Sequence, residues 1–145
     1  MSAQHFDMSG RVAVISGGAR GIGLSVAQRL AAAGAAIAIV DFDTEATQAA
    51  VQSIESAGGR ALGIPIDVTD EASVEAMTQR VTDELGSYDV LVCCAAIVGR
   101  NAFAWETSLE EWRNVIDVNL TGLWLCNRAA LGPMRAANYG RIVNI

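Results

Sequence analysis

Lysine is missing from this 145-residue chain, in which all ten cationic side chains are arginines. Any mechanism that depends on an ammonium side chain is therefore excluded from these residues. Histidine is nearly missing too: His5 stands alone near the N-terminus, far in sequence from the cysteines, which argues against a metal site. The cysteines, Cys93, Cys94 and Cys126, are odd in number and two are adjacent. They are not the spaced, even framework of a secreted disulfide domain, so a reducing, cytoplasmic setting is expected. Basic clusters are lacking and the net charge is −6, which excludes a nucleic-acid footprint. The longest apolar stretch, around Ala31 to Val40, is interrupted by Gly34 and falls short of the roughly 20 residues of a membrane span. The opening "MSAQHFDMSG" has neither a basic start nor an apolar core, so no signal peptide and no membrane partner are expected.

What is present is a globular composition, 52% hydrophobic and 18% charged, in a length that fits one domain. Strand and helix patterns alternate along it. "RVAVIS" (11–16) is a short β-branched run ending at glycines, and reads as a buried strand. A helix from about Gly21 places Ile22, Val26, Ala27 and Leu30 on one face, with Gly34 to end it. A strand at 35–40, a helix at 44–57, a strand at 61–67 and a helix at about 70–85 follow. "DVLVCC" (89–94) is almost wholly apolar and reads as a central strand. After an irregular stretch (95–106), a long helix is expected from Ser108, the start of a capping-box spacing, to Gly132-Pro133; "GRIVNI" is the fifth strand. The alternation predicts an α/β fold, a doubly wound parallel sheet of Rossmann type in the order 3-2-1-4-5. Pro65 agrees with this order, because a proline belongs on an edge strand and the third strand is the edge.

The first strand and first helix are joined by "SGGARGIG" (16–23), with Gly17, Gly21 and Gly23 spaced G-x-x-x-G-x-G. Glycine alone adopts positive φ cheaply, and a helix start offers unpaired N–H groups to a pyrophosphate. Glycines also serve plain turns, so the cluster gains meaning from Asp41, at the end of the second strand and 18 residues beyond Gly23. A carboxylate there can accept from the adenosine ribose hydroxyls and would repel a 2′-phosphate, favouring NAD over NADP. Arg20 pulls the other way, since an arginine in the loop can pair with that phosphate. Phe42 stands where a phosphate reader would be basic, and the balance favours NAD.

These residues resemble the short-chain dehydrogenase/reductase family, of its compact classical type. Ser16-Gly17 with Gly21-Ile22-Gly23 matches that family's T-G-x-x-x-G-I-G turn, serine replacing threonine. Asp67-Val68 resembles its adenine-contacting pair, and Val118-Asn119-Leu120-Thr121-Gly122 its long-helix motif, whose asparagine helps to hold an active-site water and lysine. Cys93-Cys94-Ala95-Ala96 departs from the usual N-N-A-G: Cys94 lacks the amide that stitches strands, and Ala96 replaces a glycine beside the cofactor. A methyl is tolerated there at negative φ and strained at positive φ. The two thiols read as small core residues rather than as catalytic groups.

The resemblance implies hydride exchange between a nicotinamide and a small alcohol or ketone, with a serine and a Y-x-x-x-K pair as machinery. A phenol with a reference pKa of about 10 needs a neighbouring cation to work near neutrality. The residues four places after Tyr88 and Tyr139 are Val92 and Val143, so neither tyrosine belongs to such a pair. Of the family's catalytic set only Asn119 is matched, and a helix-interior asparagine bonded to backbone is an equal reading of it. Three readings follow. The first is the cofactor-binding part of an oxidoreductase, cut after its fifth strand and inactive alone. The second is a complete, non-catalytic nucleotide-binding sensor or interaction module. The third is a flavodoxin-like phosphate-binding domain, against which Asp41 and the glycine spacing argue. The family's long helix packs on a symmetry mate, and with Trp105, Trp112 and Trp124 here it implies a homo-oligomer of the full-length protein; the same tryptophans would also serve simply to cover the sheet.

Overall fold

The computed structural model describes residues 6–145, so His5 lies outside the described residues. Five strands form one sheet: β1 Val12–Ser16, β2 Ala36–Asp41, β3 Arg60–Pro65, β4 Val90–Cys93 and β5 Arg141–Asn144. Its order is β3-β2-β1-β4-β5 and every pairing is parallel, as expected. The helices are α1 Gly21–Ala32, α2 Thr44–Ser56, α3 Glu71–Leu85, α4 Leu109–Ile116 and α5 Leu123–Ala136. Pro65 pairs with Asp41 on the edge strand, where its missing N–H faces no neighbour.

Side chains of a strand alternate between the faces of a sheet, so each buried strand feeds two cores. Val12, Val14, Val40 and Leu91 join Val74, Met77 and Val81 of α3 and Leu125, Cys126 and Ala130 of α5. Ala13, Ile15, Ile37, Ile39 and Val92 point the other way, onto Ala27 of α1 and Ala50 and Ile54 of α2. Ile15, Ile37 and Ile39 have no exposed surface, and each contributes on the order of 1.5–3 kcal/mol by burial. On β5, Ile142 packs on the α3/α5 core, while Val143 remains 46% exposed.

Several expected boundaries need correction. The third strand stops at Pro65 rather than at 67: Ile66 N–H still reaches the Asp41 carbonyl at 2.9 Å, after which Asp67 and Val68 lie in a loop. The stretch 95–106 is not wholly irregular, since Ala104–Glu106 forms a 3-10 turn. The long helix starts at Leu109 with the expected capping box of Ser108 and Glu111, but Asp117–Gly122 is wound as a π-helix. It also runs through Pro133 to Ala136. The stop is Asn138, the single described non-glycine residue with positive φ (50°), a conformation its short polar side chain tolerates. Asn138 and Tyr139 N–H close back onto the carbonyls of Arg135 and Met134. Gly140 lets the chain turn under α5, since a Cβ there would lie 2.4 Å from the Met134 sulfur.

Candidate cofactor-binding site

The carboxyl ends of β1 and β4 lie side by side, and their connections leave in opposite directions. Open parallel sheets bind ligands at such a switch point. A cavity of about 560 Å³ opens there. Its wall contains Gly17, Arg20, Ile22, Gly23, Asp41, Phe42, Asp67, Val68, Cys94, Ala95 and Ala96. Two of the sequence-nominated residues, Gly21 and Asn119, are not part of that wall.

Local chemistry explains the shape of the glycine turn. Gly17 has φ of 65° and lies so close to the segment that follows β4 that a Cβ would sit 2.6 Å from Ala95 N. A Cβ on Gly23 would sit 2.1 Å from the Gly17 carbonyl oxygen, so the first turn of α1 can close only on a glycine. Gly21 has φ of 55°, and nothing lies within 4 Å of where its Cβ would be. Two of these glycines bring backbone together, and the third leaves open space at the helix start.

That helix start differs from those of α2, α3 and α4. Asp43, Asp70 and Ser108 cap α2, α3 and α4 with side-chain oxygens. At α1 the N-cap residue is Arg20, which makes no side-chain cap, and the first turn holds no acidic residue. Its N–H groups and positive dipole end therefore remain available to an anion.

Asp41 is only 8% exposed and links the turn to β2. Its Oδ2 accepts from Ala19 N–H at 3.2 Å and its Oδ1 from Asp43 N–H at 3.3 Å. A carboxylate has about four acceptor positions, so two remain for a ligand. Asp67 accepts through Oδ1 from the N–H and hydroxyl of Thr69, at 2.9 and 2.8 Å, which fixes the loop after β3. Phe42 is exposed at the rim. Arg20 is turned toward the Asp43 carboxylate, with which it forms an ion pair, instead of standing free for a phosphate.

The unusual Cys-Cys-Ala-Ala segment fits without strain. Cys94 N–H donates to the Ser16 carbonyl at 2.9 Å, so backbone continues the β1–β4 ladder where the family amide is missing. Ala96 is not among the residues of positive φ, and its methyl is accommodated. Burial pushes the Cys93 thiol up to about 11 and Cys126 to about 12, and raises Cys94 as well. None of them is a thiolate near neutrality, which leaves them small packing residues.

Asn119 sits in the π segment, with its carboxamide committed to one residue. Its Oδ1 accepts from Ile97 N–H at 2.8 Å and its Nδ2 donates to the Ile97 carbonyl at 3.0 Å. This asparagine positions the loop after β4. Sequence reasoning missed Ile66, Ile97, Asn114, Val118 and Ile145 in the wall. Asn114 and Val118 could have been found, because they stand one turn apart on the helix that carries Asn119. Neither tyrosine faces the cavity. Tyr88 is buried in the α3/α5 core, and Tyr139 lies at the amino end of the sheet under Arg11, 3.8 Å from its ring centre.

The model of the short chain dehydrogenase family matches residues 11–145. The chain belongs to that family. It is 45% identical over 135 residues to cis-4-hydroxycyclohexanecarboxylate dehydrogenase of Sinomonas cyclohexanicum, covering 93% of this chain and 54% of that protein. It is 39% identical over 137 residues to 2-dehydro-3-deoxy-L-rhamnonate dehydrogenase (NAD(+)) of Sphingomonas sp. (strain SKA58), covering 94% and 53%. Among solved structures, NAD+-bound xylitol dehydrogenase superposes with a TM-score of 0.91 at 34% identity, covering 94% of this chain and 52% of that one. A metagenomic short-chain oxidoreductase in complex with NADP gives 0.89 at 34% identity, covering 94% and 62%. This short-chain dehydrogenase chain spans about half the length of the curated relatives it matches.

Proposed function

We propose that residues 1–145 form one dinucleotide-binding domain of an oxidoreductase that interconverts a small secondary alcohol and a ketone, with NAD favoured over NADP. The observation that carries this reading is the uncapped start of α1, which opens with Asp41 into one cavity at the β1/β4 switch. The glycine turn and first N–H groups of α1 would hold the pyrophosphate, and Asp41 the adenosine ribose. Asp67 and Val68 would flank the adenine, and Ala95 and Ala96 the nicotinamide half. When bound, the nicotinamide supplies or accepts the hydride. The residues of this chain bind, orient and exclude water, and no tyrosine or lysine among them stands at the cavity to move a proton. The preference for NAD rests on Asp41, whose charge opposes a 2′-phosphate, and not on the fold, which relatives use with either cofactor.

A second reading, a nucleotide-binding sensor or interaction module without catalysis, is favoured by the lack of lysine and by the distance of both tyrosines from the cavity. Calorimetric titration with NADH tests the binding claim common to both: saturable binding is expected, and a flat titration would refute it. Turnover of secondary alcohols with NAD+ by the full-length protein then separates enzyme from sensor.

The exposed Leu109, Trp112, Leu120, Trp124 and Leu131 along α4 to α5 support a homo-oligomer of the full-length protein. A monomeric mass in solution would overturn that proposal. Three unpaired cysteines support a cytoplasmic location. No described helix is long and apolar enough to cross a membrane.

A further inference from the structure

Resting on the dinucleotide reading above, we propose that Asp43 is a second determinant of cofactor choice, acting by holding Arg20 away from an adenosine 2′-phosphate. Arg20 is the one cationic residue in the described cavity wall, which also carries the carboxylates of Asp41 and Asp67. A phosphate on the ribose meets no other cationic side chain in that wall. The Arg20 guanidinium is already engaged, since Nη2 donates to Asp43 Oδ2.

Asp43 is anchored independently of Arg20. Its Oδ1 accepts from Ala46 N–H at 3.0 Å as the N-cap of α2, and its own N–H donates to Asp41 Oδ1 at 3.3 Å. Its carbonyl accepts from the Thr47 N–H and hydroxyl at 2.9 and 2.7 Å. The carboxylate is thus a fixed point on the β2–α2 connection, and the flexible arginine comes to it. Hydrogen bonds from Ala46 N–H and Arg20 hold it below the usual carboxylate range, so it is charged throughout the physiological interval. Asp41 repels the phosphate directly, and Asp43 withdraws the group that would compensate.

The pair is exposed, with 63% of the arginine side chain and 35% of the aspartate side chain open to solvent. Exposed ion pairs are worth at most about fivefold in an equilibrium. Releasing Arg20 should therefore shift preference by no more than that factor and not invert it, since Asp41 remains. Asp43→Asn and Asp43→Ser both remove the charge and keep a good N-cap. The readout is the ratio of NADPH to NADH dissociation constants, measured by titrating the full chain with each dinucleotide. Each variant should lower that ratio by up to about fivefold, and adding Arg20→Met should cancel that shift. A purely structural role for Asp43 would weaken both cofactors together and leave the ratio unmoved, which overturns the proposal. So does a shift that survives removal of Arg20. An unmodified chain that binds neither dinucleotide refutes the underlying reading, and the proposal with it.

Discussion

Replacing Gly23 by alanine places a methyl 2.1 Å from the Gly17 carbonyl oxygen and 2.8 Å from its carbon. Both are backbone atoms of a turn that is itself pressed against the segment that follows β4, so no side chain can rotate out of the way. Overpacking of this kind costs about 1–3 kcal/mol, and the upper end applies where the neighbour is backbone. At roughly 2–4 °C per kcal/mol for a chain of this size, the melting temperature should fall by about 5–10 °C. Gly21→Ala supplies the contrast. Its new methyl meets nothing within 4 Å, so stability loses only the strain of φ at 55°, about 1–2 kcal/mol. Gly21 is not part of the cavity wall, which holds Gly17 and Gly23, so its methyl should leave the dinucleotide site open. Thermal melts and NADH titrations of the two variants should therefore separate. Gly23→Ala loses stability and binding together, whereas Gly21→Ala loses some stability and binds NADH nearly as before. A Gly23→Ala chain that melts within a degree of the original would refute the close approach. A Gly21→Ala chain that loses NADH binding as fully as Gly23→Ala would refute the assignment of the phosphates to the wall of Gly17 and Gly23.

Three further outcomes are expected. Tyr88 is 3% exposed and its hydroxyl has no hydrogen-bond partner among the described residues, so Tyr88→Phe removes a buried unsatisfied group and should raise stability by about 1 kcal/mol; a clear loss in chemical denaturation would show that the hydroxyl is satisfied in solution. For Asp89, burial works to raise the carboxyl, but hydrogen bonds from Ser87, Val12 and Arg11 outweigh it and hold it below 3.8. A depressed folded-state value means stability present above the unfolded value of about 3.9 and lost as pH falls through the folded one, so Asp89→Asn should flatten the acid limb below about pH 4. An unchanged acid limb would refute that role. Native mass spectrometry after brief alkylation at pH 7 should find Cys94 modified slowly and Cys93 and Cys126 untouched, because burial raises the first thiol and puts the others at about 11 and 12. Rapid labelling of all three would mean that the core opens readily.

The sheet was legible because its signals are local. β-branched runs broken by glycines define the strands, alternation dictates parallel pairing, and Pro65 marks the edge. The glycine turn, Asp41 and the Asp67-Val68 pair were legible for a related reason: each lies at the carboxyl end of a strand, where an α/β fold gathers its ligand contacts. What escaped depends on contacts distant in sequence or on geometry with no compositional signature. The Arg20–Asp43 pair joins the loop after β1 to the one after β2, and sequence gives no reason to prefer it over a phosphate. The π segment holds ordinary helix residues. Pro133 looks like a terminator, yet it falls late in α5, where one lost hydrogen bond is outweighed by burial of Ala130 and Met134 on either side.

The π segment also explains how Asn119, for which a helix asparagine bonded to backbone was one of two equal readings, comes to make that contact. A π-bulge shifts the residues that follow it around the helix axis. Here it delivers Gly122 onto the loop after β3, where a Cβ would lie 2.7 Å from Val68 Cγ2, and it aims Asn119 at the backbone of Ile97. Gly17 meets Cys94 and Ala95 at similar range from the opposite side. The segments of the cavity wall are thus tied by close glycine approaches, by the doubly bonded Asn119 carboxamide and by the Asp41 carboxylate. Such contacts tolerate little displacement, because a close approach of backbone has no rotamer through which to relax. The site is therefore held in shape by its own walls before any ligand arrives. Substitutions at Gly122 or Asn119 should disturb dinucleotide binding through the position of Val68 and Ile97, although neither residue stands in the cavity wall.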